Sequence, residues 1–302
     1  MHYRPLGTTG LTVSEIGLGC ASWWGRREFS EIEALRLVHA ALERGVTLFD
    51  TGASYSKGQA EPRLGRALRG RNIDKLVIAT KAGTRFESGR IVRDMSPDAI
   101  ESSVMRSLTN LGLESLPLLQ LHGPSVDELS EPFLARMTAL KTRGLIGALG
   151  LNSFDPAVIE AAIDIPVFDV VMVDYNVLRP ERGPLITKAA VAGKGVLAGM
   201  ALAMGHTGLQ TLKLRAPRDI WYALRALKSH RADITKGARF GFLHQLDDRT
   251  GAQAALGYVL DNPGVSAAII GTTRIAHLLD NLGSSGLSLT EAQRQRIRET
   301  QA

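Results

Sequence analysis

Short apolar, β-prone runs alternate with longer stretches of helical periodicity along almost the whole chain. Strands are predicted at Ile16–Gly19, Thr47–Phe49, Leu76–Thr80, Leu118–Leu121, Ile146–Leu149, Val170–Val173, Val196–Ala198 and Ala267–Ile270. Helices are predicted at Glu31–Glu43, Ala60–Leu68, Pro97–Leu108, Glu131–Lys141, Pro156–Ala162, Pro184–Ala192 and Gly251–Leu260, with a last one after Ile275. Ser96-Pro97 and Asp155-Pro156 each set an acceptor before a proline, a helix-start signal. The strand runs are continuously apolar, as parallel strands covered by helices are. Eight β-then-α units predict an α/β fold, a closed (β/α)8 TIM barrel, with an open doubly wound sheet as the alternative. Leu6-Gly7-Thr8-Thr9-Gly10-Leu11 sets turn residues between apolar ones and reads as an N-terminal β-hairpin closing the barrel floor. With 302 residues and no second apolar core, residues 1–302 are expected to form one barrel domain.

One interval breaks the rhythm. The seventh strand ends near Ala198, yet the next clear helix starts near Gly251, with a helical stretch at Asp219–Ser229 between them. Long barrel loops tend to be functional, so residues 206–250 are expected to be a lid insertion after strand seven. This segment holds nine Lys or Arg and four Asp, a net +5 out of +6 for the chain. Charge so localised, without a basic face carrying aromatic stacking positions, argues against nucleic acid and for a small anionic molecule. Its bland explanation is a solvated helix face. No apolar run approaches the length of a membrane span, and the N-terminus shows no apolar signal region. One cysteine, Cys20, allows no internal disulfide and no Cys/His metal spacing, so a reducing, cytoplasmic setting without a metal is expected. Oligomeric state stays open.

Active sites of such barrels lie at the C-terminal ends of the strands. Strand two ends in Asp50, with Tyr55 in the loop beyond; strand three ends in Lys81; strand four ends in His122. Alone, an Asp there is more often a turn former, and a His a satisfied core residue. A lysine after an apolar strand is less usual, because burying it is costly. Together the four suit hydride chemistry, in which reducing a carbonyl leaves an anionic oxygen that needs a proton. A free tyrosine, with a pKa of about 10, gives up its proton reluctantly. Lys81 would lower that value, Asp50 would hold Lys81 charged, and His122 would donate to the substrate oxygen. Trp23 and Trp24, with Trp221 of the insertion, are candidate walls of a substrate pocket, though core packing explains the Trp pair equally well.

The motifs Asp50-Thr51-Gly52-Ala53-Ser54-Tyr55, Ala79-Thr80-Lys81-Ala82-Gly83, Leu119-Gln120-Leu121-His122-Gly123-Pro124, Gly150-Leu151-Asn152-Ser153-Phe154, Asp174-Tyr175-Asn176 and Ile270-Gly271-Thr272-Thr273-Arg274 resemble those of the aldo-keto reductase superfamily nearly end to end. That resemblance implies a catalytic tetrad at Asp50, Tyr55, Lys81 and His122, and NADPH or NADH bound across the barrel mouth. It places Asn152, Ser153, Tyr175, Gly271, Thr272, Arg274 and Asn281 among the cofactor contacts. NADP(H) is expected over NAD(H), because Arg274 opens the final barrel helix where a 2′-phosphate would meet a guanidinium and a helix N-terminus. Three positions depart from the pattern. Asn152-Ser153 reverses the usual Ser-Asn order, Met172 stands where a glutamine is common, and Gly199-Met200 replaces an aromatic ring that stacks on nicotinamide. The function implied is NAD(P)H-dependent reduction of an aldehyde, ketone or sugar-like carbonyl, or the reverse. Alternatives are a Schiff-base aldolase using Lys81 and a non-catalytic nucleotide-binding subunit.

Overall fold

The computed structural model describes residues 1–21, 24, 28–205, 207 and 231–302. Among them the chain forms hairpin strands β1 (Tyr3–Pro5) and β2 (Thr12–Ser14), then β3 (Ile16–Gly19), α1 (Glu31–Glu43), β4 (Leu48–Asp50), α2 (Ala60–Leu68) and β5 (Val77–Ala82). A second hairpin, β6 (Thr84–Glu87) and β7 (Arg90–Arg93), precedes α3 (Pro97–Leu111), β8 (Leu116–His122), α4 (Glu131–Thr142), β9 (Ile146–Asn152) and α5 (Pro156–Asp164). The rest is β10 (Val170–Asp174), α6 (Gly183–Val191), β11 (Gly195–Gly199), α7 (Arg231–Ala238), α8 (Gly251–Leu260), β12 (Ala267–Gly271), α9 (Ile275–Leu282) and α10 (Glu291–Gln301). Eight strands close a parallel barrel in the order β3-β4-β5-β8-β9-β10-β11-β12, which settles the choice against an open sheet.

Because side chains alternate across a strand, each barrel strand sends every second residue into the lumen. Leu48, Val77, Ala79, Leu118, Ala148, Val170, Met172, Leu197 and Ala267 fill it as one apolar cluster, with Leu6 and Val13 of the N-terminal hairpin plugging the floor. The intervening residues, such as Phe49, Ile78, Leu119 and Leu121, pack outward under the helices in the larger core. The hairpin sits flush on the floor because Gly7 has φ +57° and a Cβ there would lie 2.2 Å from the Gly195 nitrogen.

Buried Glu61 on α2 ties the outside of β5 to its neighbours. It accepts hydrogen bonds from Thr80 Oγ1 at 2.5 Å, Ser107 Oγ at 2.7 Å and Asn110 Nδ2 at 3.1 Å. Of the expected insertion, the Asp219–Ser229 helix and Trp221 lie outside the described residues. Residues 239–245 put Phe240, Phe242 and Leu243 into a third apolar cluster with Val177, Ala254, Leu289 and Ile297. The β6–β7 hairpin and the terminal helix α10 were not predicted. The hairpin turns on Ser88 and Gly89, at φ 50° and 83°, as a two-residue turn with positive φ at both positions does.

Candidate active site

The lumen alternation that stacks apolar residues below delivers polar ones at the top. Continuing the inward series two residues at a time brings Asp50 after Leu48, Lys81 after Ala79, and Gln120 and His122 after Leu118. The register sets Asp50 beside Ala79 and Lys81 beside Gln120 on adjacent strands. Lys81 Nζ lies 2.6 Å from each oxygen of Asp50 and donates to the Thr51 carbonyl at 2.9 Å. Gln120 Nε2 donates to Asp50 Oδ1 at 3.0 Å. Asp50 is 4% exposed and Lys81 1%, so the pair is out of water. A buried charge is tolerated when paired and hydrogen-bonded in this way.

Tyr55 opens a short 3-10 turn beyond β4. Its ring centroid is 4.8 Å from Lys81 Nζ and 5.8 Å from that of His122, edge to face at 85°. Ser56 and Lys57, directly after it, hold left-handed backbones at φ 52° and 58°. Non-glycine residues rarely take that conformation, and such strain gathers at functional sites. His122 Nδ1 lies 2.8 Å from Thr84 Oγ1, which lies 3.0 Å from Ser54 Oγ. Tyr55 and His122 face a cavity of about 410 Å³ whose apolar wall includes Ala21, Phe86 and Ile91 and whose polar rim includes Ser54, Lys57 and Thr84.

Burial raises the Tyr55 phenol above its ordinary pKa; Lys81 pulls it down by less, and Asp50 adds to the rise. The expectation that Lys81 brings this phenol below its usual value is therefore corrected: the ammonium acts in that direction, but desolvation of the ring outweighs it. Burial also works against the Lys81 ammonium, yet Asp50 and then Tyr55 hold its pKa above the ordinary value. A lysine locked as an ammonium has no lone pair for a Schiff base, which argues against the aldolase alternative. Burial, then the Lys81 charge, lowers His122 to about 4, so it is a neutral imidazole at neutral pH.

The remaining expected residues are spread around the rim. Asn152 ends β9 beside His122 in register, and its Nδ2 lies 2.6 Å from Met172 Sδ. A thioether is a weak acceptor, so this buried amide donor has room for a better one. Ser153 Oγ accepts from the Asp155 amide at 3.1 Å. Tyr175 is buried, with its ring 5.4 Å from Tyr258 on α8. Gly271 ends β12, and Thr272 Oγ1 accepts from the Arg274 amide at 3.1 Å ahead of α9. The Arg274 side chain is exposed and makes no ion pair among the described residues, and Asn281 lies buried on α9. Trp24 is a correction to the expected pocket wall. It is 1% exposed and packs edge-on against Phe29, 6.4 Å away, within the core. Trp23 lies outside the described residues. Cys20 is a buried thiol whose pKa burial pushes up, and no group of metal-ligating residues occurs among the described residues. No described helix is long and apolar enough to cross a membrane.

The profile of the Aldo/keto reductase family matches residues 15–302. The chain belongs to the aldo/keto reductase family. It is similar to the uncharacterized oxidoreductase YqkF of Bacillus subtilis, with 28% identity over 97% of this chain and 94% of that one. It is 27% identical to the NADH-specific methylglyoxal reductase of Escherichia coli over 59% of this chain and 60% of that one. Its fold is similar to the holo form of an aldo-keto reductase from Bacillus halodurans, with a TM-score of 0.82 and 29% identity across 100% of this chain and 97% of that one. Oxidoreductases of this family act on small carbonyl and alcohol substrates with NAD(P)H.

Sequence reasoning missed Ser54, Thr84 and Gln120. Gln120 carried a usable signal, a polar residue in an apolar strand two positions before His122. Thr84 carried none, because it reaches His122 through the unforeseen hairpin.

Proposed function

We propose that this aldo-keto reductase reduces a small aldehyde, ketone or sugar-like hydroxycarbonyl to its alcohol, or runs the reverse reaction, with Tyr55 as general acid and NADPH preferred over NADH. The observation that carries the reading is one buried constellation. The Asp50–Lys81 pair at 2.6 Å lies under the Tyr55 ring, with neutral His122 beside it and one cavity in front. The reduced nicotinamide supplies the hydride. Everything else falls to the chain. Tyr55, its pKa raised by burial, keeps its proton at neutral pH and has one to give to the developing alkoxide. The Lys81 charge stabilises the phenolate left behind, and Asp50 with Gln120 keeps that ammonium in place. His122, uncharged, donates a hydrogen bond that orients the carbonyl.

A cavity of about 410 Å³ is near the small end of ligand pockets, which favours a compact substrate with an apolar side against Phe86 and Ile91. The name of the E. coli relative points to the same class. For the cofactor, Asn152 and Ser153 would hold the carboxamide, and the exposed Arg274 guanidinium ahead of α9 would pair with a 2′-phosphate. The NADH-specific relative weighs the other way on that last point. The test is a turnover screen of small aldehydes, ketones and hydroxycarbonyls with both reduced cofactors. Oxidation of neither cofactor by any carbonyl would sink the reading, and equal efficiency with both would sink the NADPH preference alone.

A further inference from the structure

We propose that Ser54 and Thr84 are positioning residues that fix which ring nitrogen of His122 carries its proton. The two hydroxyls come from different loops. Ser54 lies in the loop after β4, and Thr84 opens β6 beyond β5. They converge in line on the histidine that ends β8, at 3.0 Å from Ser54 Oγ to Thr84 Oγ1 and 2.8 Å from Thr84 Oγ1 to His122 Nδ1. Ser54 precedes a 3-10 turn without capping it through its side chain, so the helix terminus does not compete for its hydroxyl.

A neutral imidazole carries its proton on one nitrogen and a lone pair on the other. Each hydroxyl has a single proton, so a continuous line of donation through Thr84 runs in one of two senses. In one, Ser54 donates to Thr84, Thr84 donates to Nδ1, and the ring proton sits on Nε2. In the other, Nδ1–H donates to Thr84, Thr84 donates to Ser54, and Nε2 presents a bare lone pair. Only the first gives Nε2 a proton to offer a carbonyl oxygen; the second sets two lone pairs against each other. The hydroxyl line thus orients His122 as a carboxylate or backbone carbonyl orients other functional histidines, but by donating to Nδ1 it selects the opposite tautomer, and it brings no second negative charge beside Lys81. The inference rests on the proposed role of His122 toward a carbonyl.

The decisive experiment combines kinetics with nitrogen NMR of the His122 ring in the whole protein. Thr84→Val keeps the branched shape and removes the hydroxyl. We expect the native ring to be protonated on Nε2, and Thr84→Val to lose that preference. Its kcat should fall by about 10–100-fold, as when orienting partners of metal-bound histidines are removed, with KM changing less. Thr84→Ser should restore both the tautomer and the rate, and Ser54→Ala should shift both in the same direction by less. A native ring protonated on Nδ1, an unchanged tautomer in Thr84→Val, or failure of Thr84→Ser to rescue would each overturn the proposal. The NMR readout needs no turnover, so it decides the tautomer even if no carbonyl substrate is found and the reductase reading fails.

Discussion

The mouth of this barrel has two unlike arcs. On β4, β5 and β8 the upward-continuing lumen residues are Asp50, Lys81, Gln120 and His122, the first three in one hydrogen-bonded set and His122 in a second with Thr84. On β9, β10 and β11 the equivalent series ends in Asn152, in Met172 and then Asp174, and in Gly199: an amide against a thioether, a buried carboxylate paired with Arg179 and Arg182, and a position with no side chain. In the first arc the chain itself pairs the charges, so they are preorganised before any ligand arrives, although Gln120 Oε1 is buried without a partner among the described residues. In the second, Asp174 is likewise paired, but the Asn152 amide meets only a sulfur and Gly199 leaves space, so there a ligand can complete what the chain does not. Chemistry and recognition are in this way given to different thirds of one cylinder.

The sharpest way to break the first arc is at Tyr55. Tyr55→Phe keeps the ring packed over Lys81 and removes only the transferable proton. Turnover should fall by about 10²–10⁴-fold, while cofactor dissociation constants stay within a few-fold of native. A near-normal rate would remove Tyr55 from the acid role. Next comes the ion pair. Asp50→Asn or Lys81→Met leaves one buried charge unpaired, which costs about 3–5 kcal/mol of stability. If the two act as one unit, the double variant loses less than the sum of the single losses in both melting temperature and kcat. Strict additivity would show two independent groups.

His122 adds a test in pH. Its pKa falls from 6.5 to about 4 on folding. Between those values the unfolded chain binds the proton more readily than the folded one. The sign is therefore that His122 costs stability as pH drops from about 6.5 toward about 4, and costs nothing above that window. A tenfold difference in proton affinity between the two states corresponds to about 1.4 kcal/mol. As pH falls from 7 to 4 the melting temperature of the native protein should fall relative to that of His122→Gln protein. Parallel curves would mean that the ring is not held neutral.

Much of the first arc was legible from the residues, because continuous apolar strands ending in Asp50, Lys81 and His122 have few structural explanations. Strand edges were read slightly short: β8 runs Leu116–His122 where Leu118–Leu121 was predicted, and Pro117, which lacks a backbone N–H, breaks the apolar run before Leu118. The β6–β7 hairpin was hidden because Arg85, Glu87, Arg90 and Arg93 make it polar on both sides of its turn, with only Phe86, Ile91 and Val92 apolar. Trp24 was ambiguous in sequence, since a large aromatic after a barrel strand fits a core and a pocket equally. Burial of the phenol, which reverses the expected direction of its pKa, depends on three-dimensional neighbours and has no local signature.

The second arc is tested first at its far rim. The Arg274 side chain is exposed and makes no ion pair among the described residues, so its charge is within reach of a 2′-phosphate. A hydrogen bond to a charged group contributes about 1.5–3 kcal/mol, which is roughly tenfold to hundredfold in affinity. Arg274→Ala should weaken NADPH by that factor and leave NADH unchanged. Equal weakening of both would deny the residue a phosphate role.

The smallest effect expected is also the one that speaks most directly to why the arcs differ. Met172 points into the lumen beside Asn152, in register with it on the neighbouring strand, and offers the Asn152 amide only its sulfur. Met172→Gln exchanges an unbranched thioether for an amide of similar length, so the lumen volume hardly changes and the fold should tolerate it. The new side chain would give Asn152 a true acceptor and add a donor of its own at the mouth. If the second arc is incomplete because it lacks such a partner, cofactor affinity should rise by the value of one ordinary hydrogen bond, about 0.5–1.5 kcal/mol, or roughly two- to tenfold. Both NADPH and NADH should gain equally, because the change lies on β10 whereas Arg274 follows β12, and kcat should hardly move. Fluorescence titration of each cofactor against native and Met172→Gln protein reads this directly. Weaker binding of both cofactors would mean that the Asn152–Met172 contact is itself part of a finished site, and the contrast between the arcs would then fail on its second side.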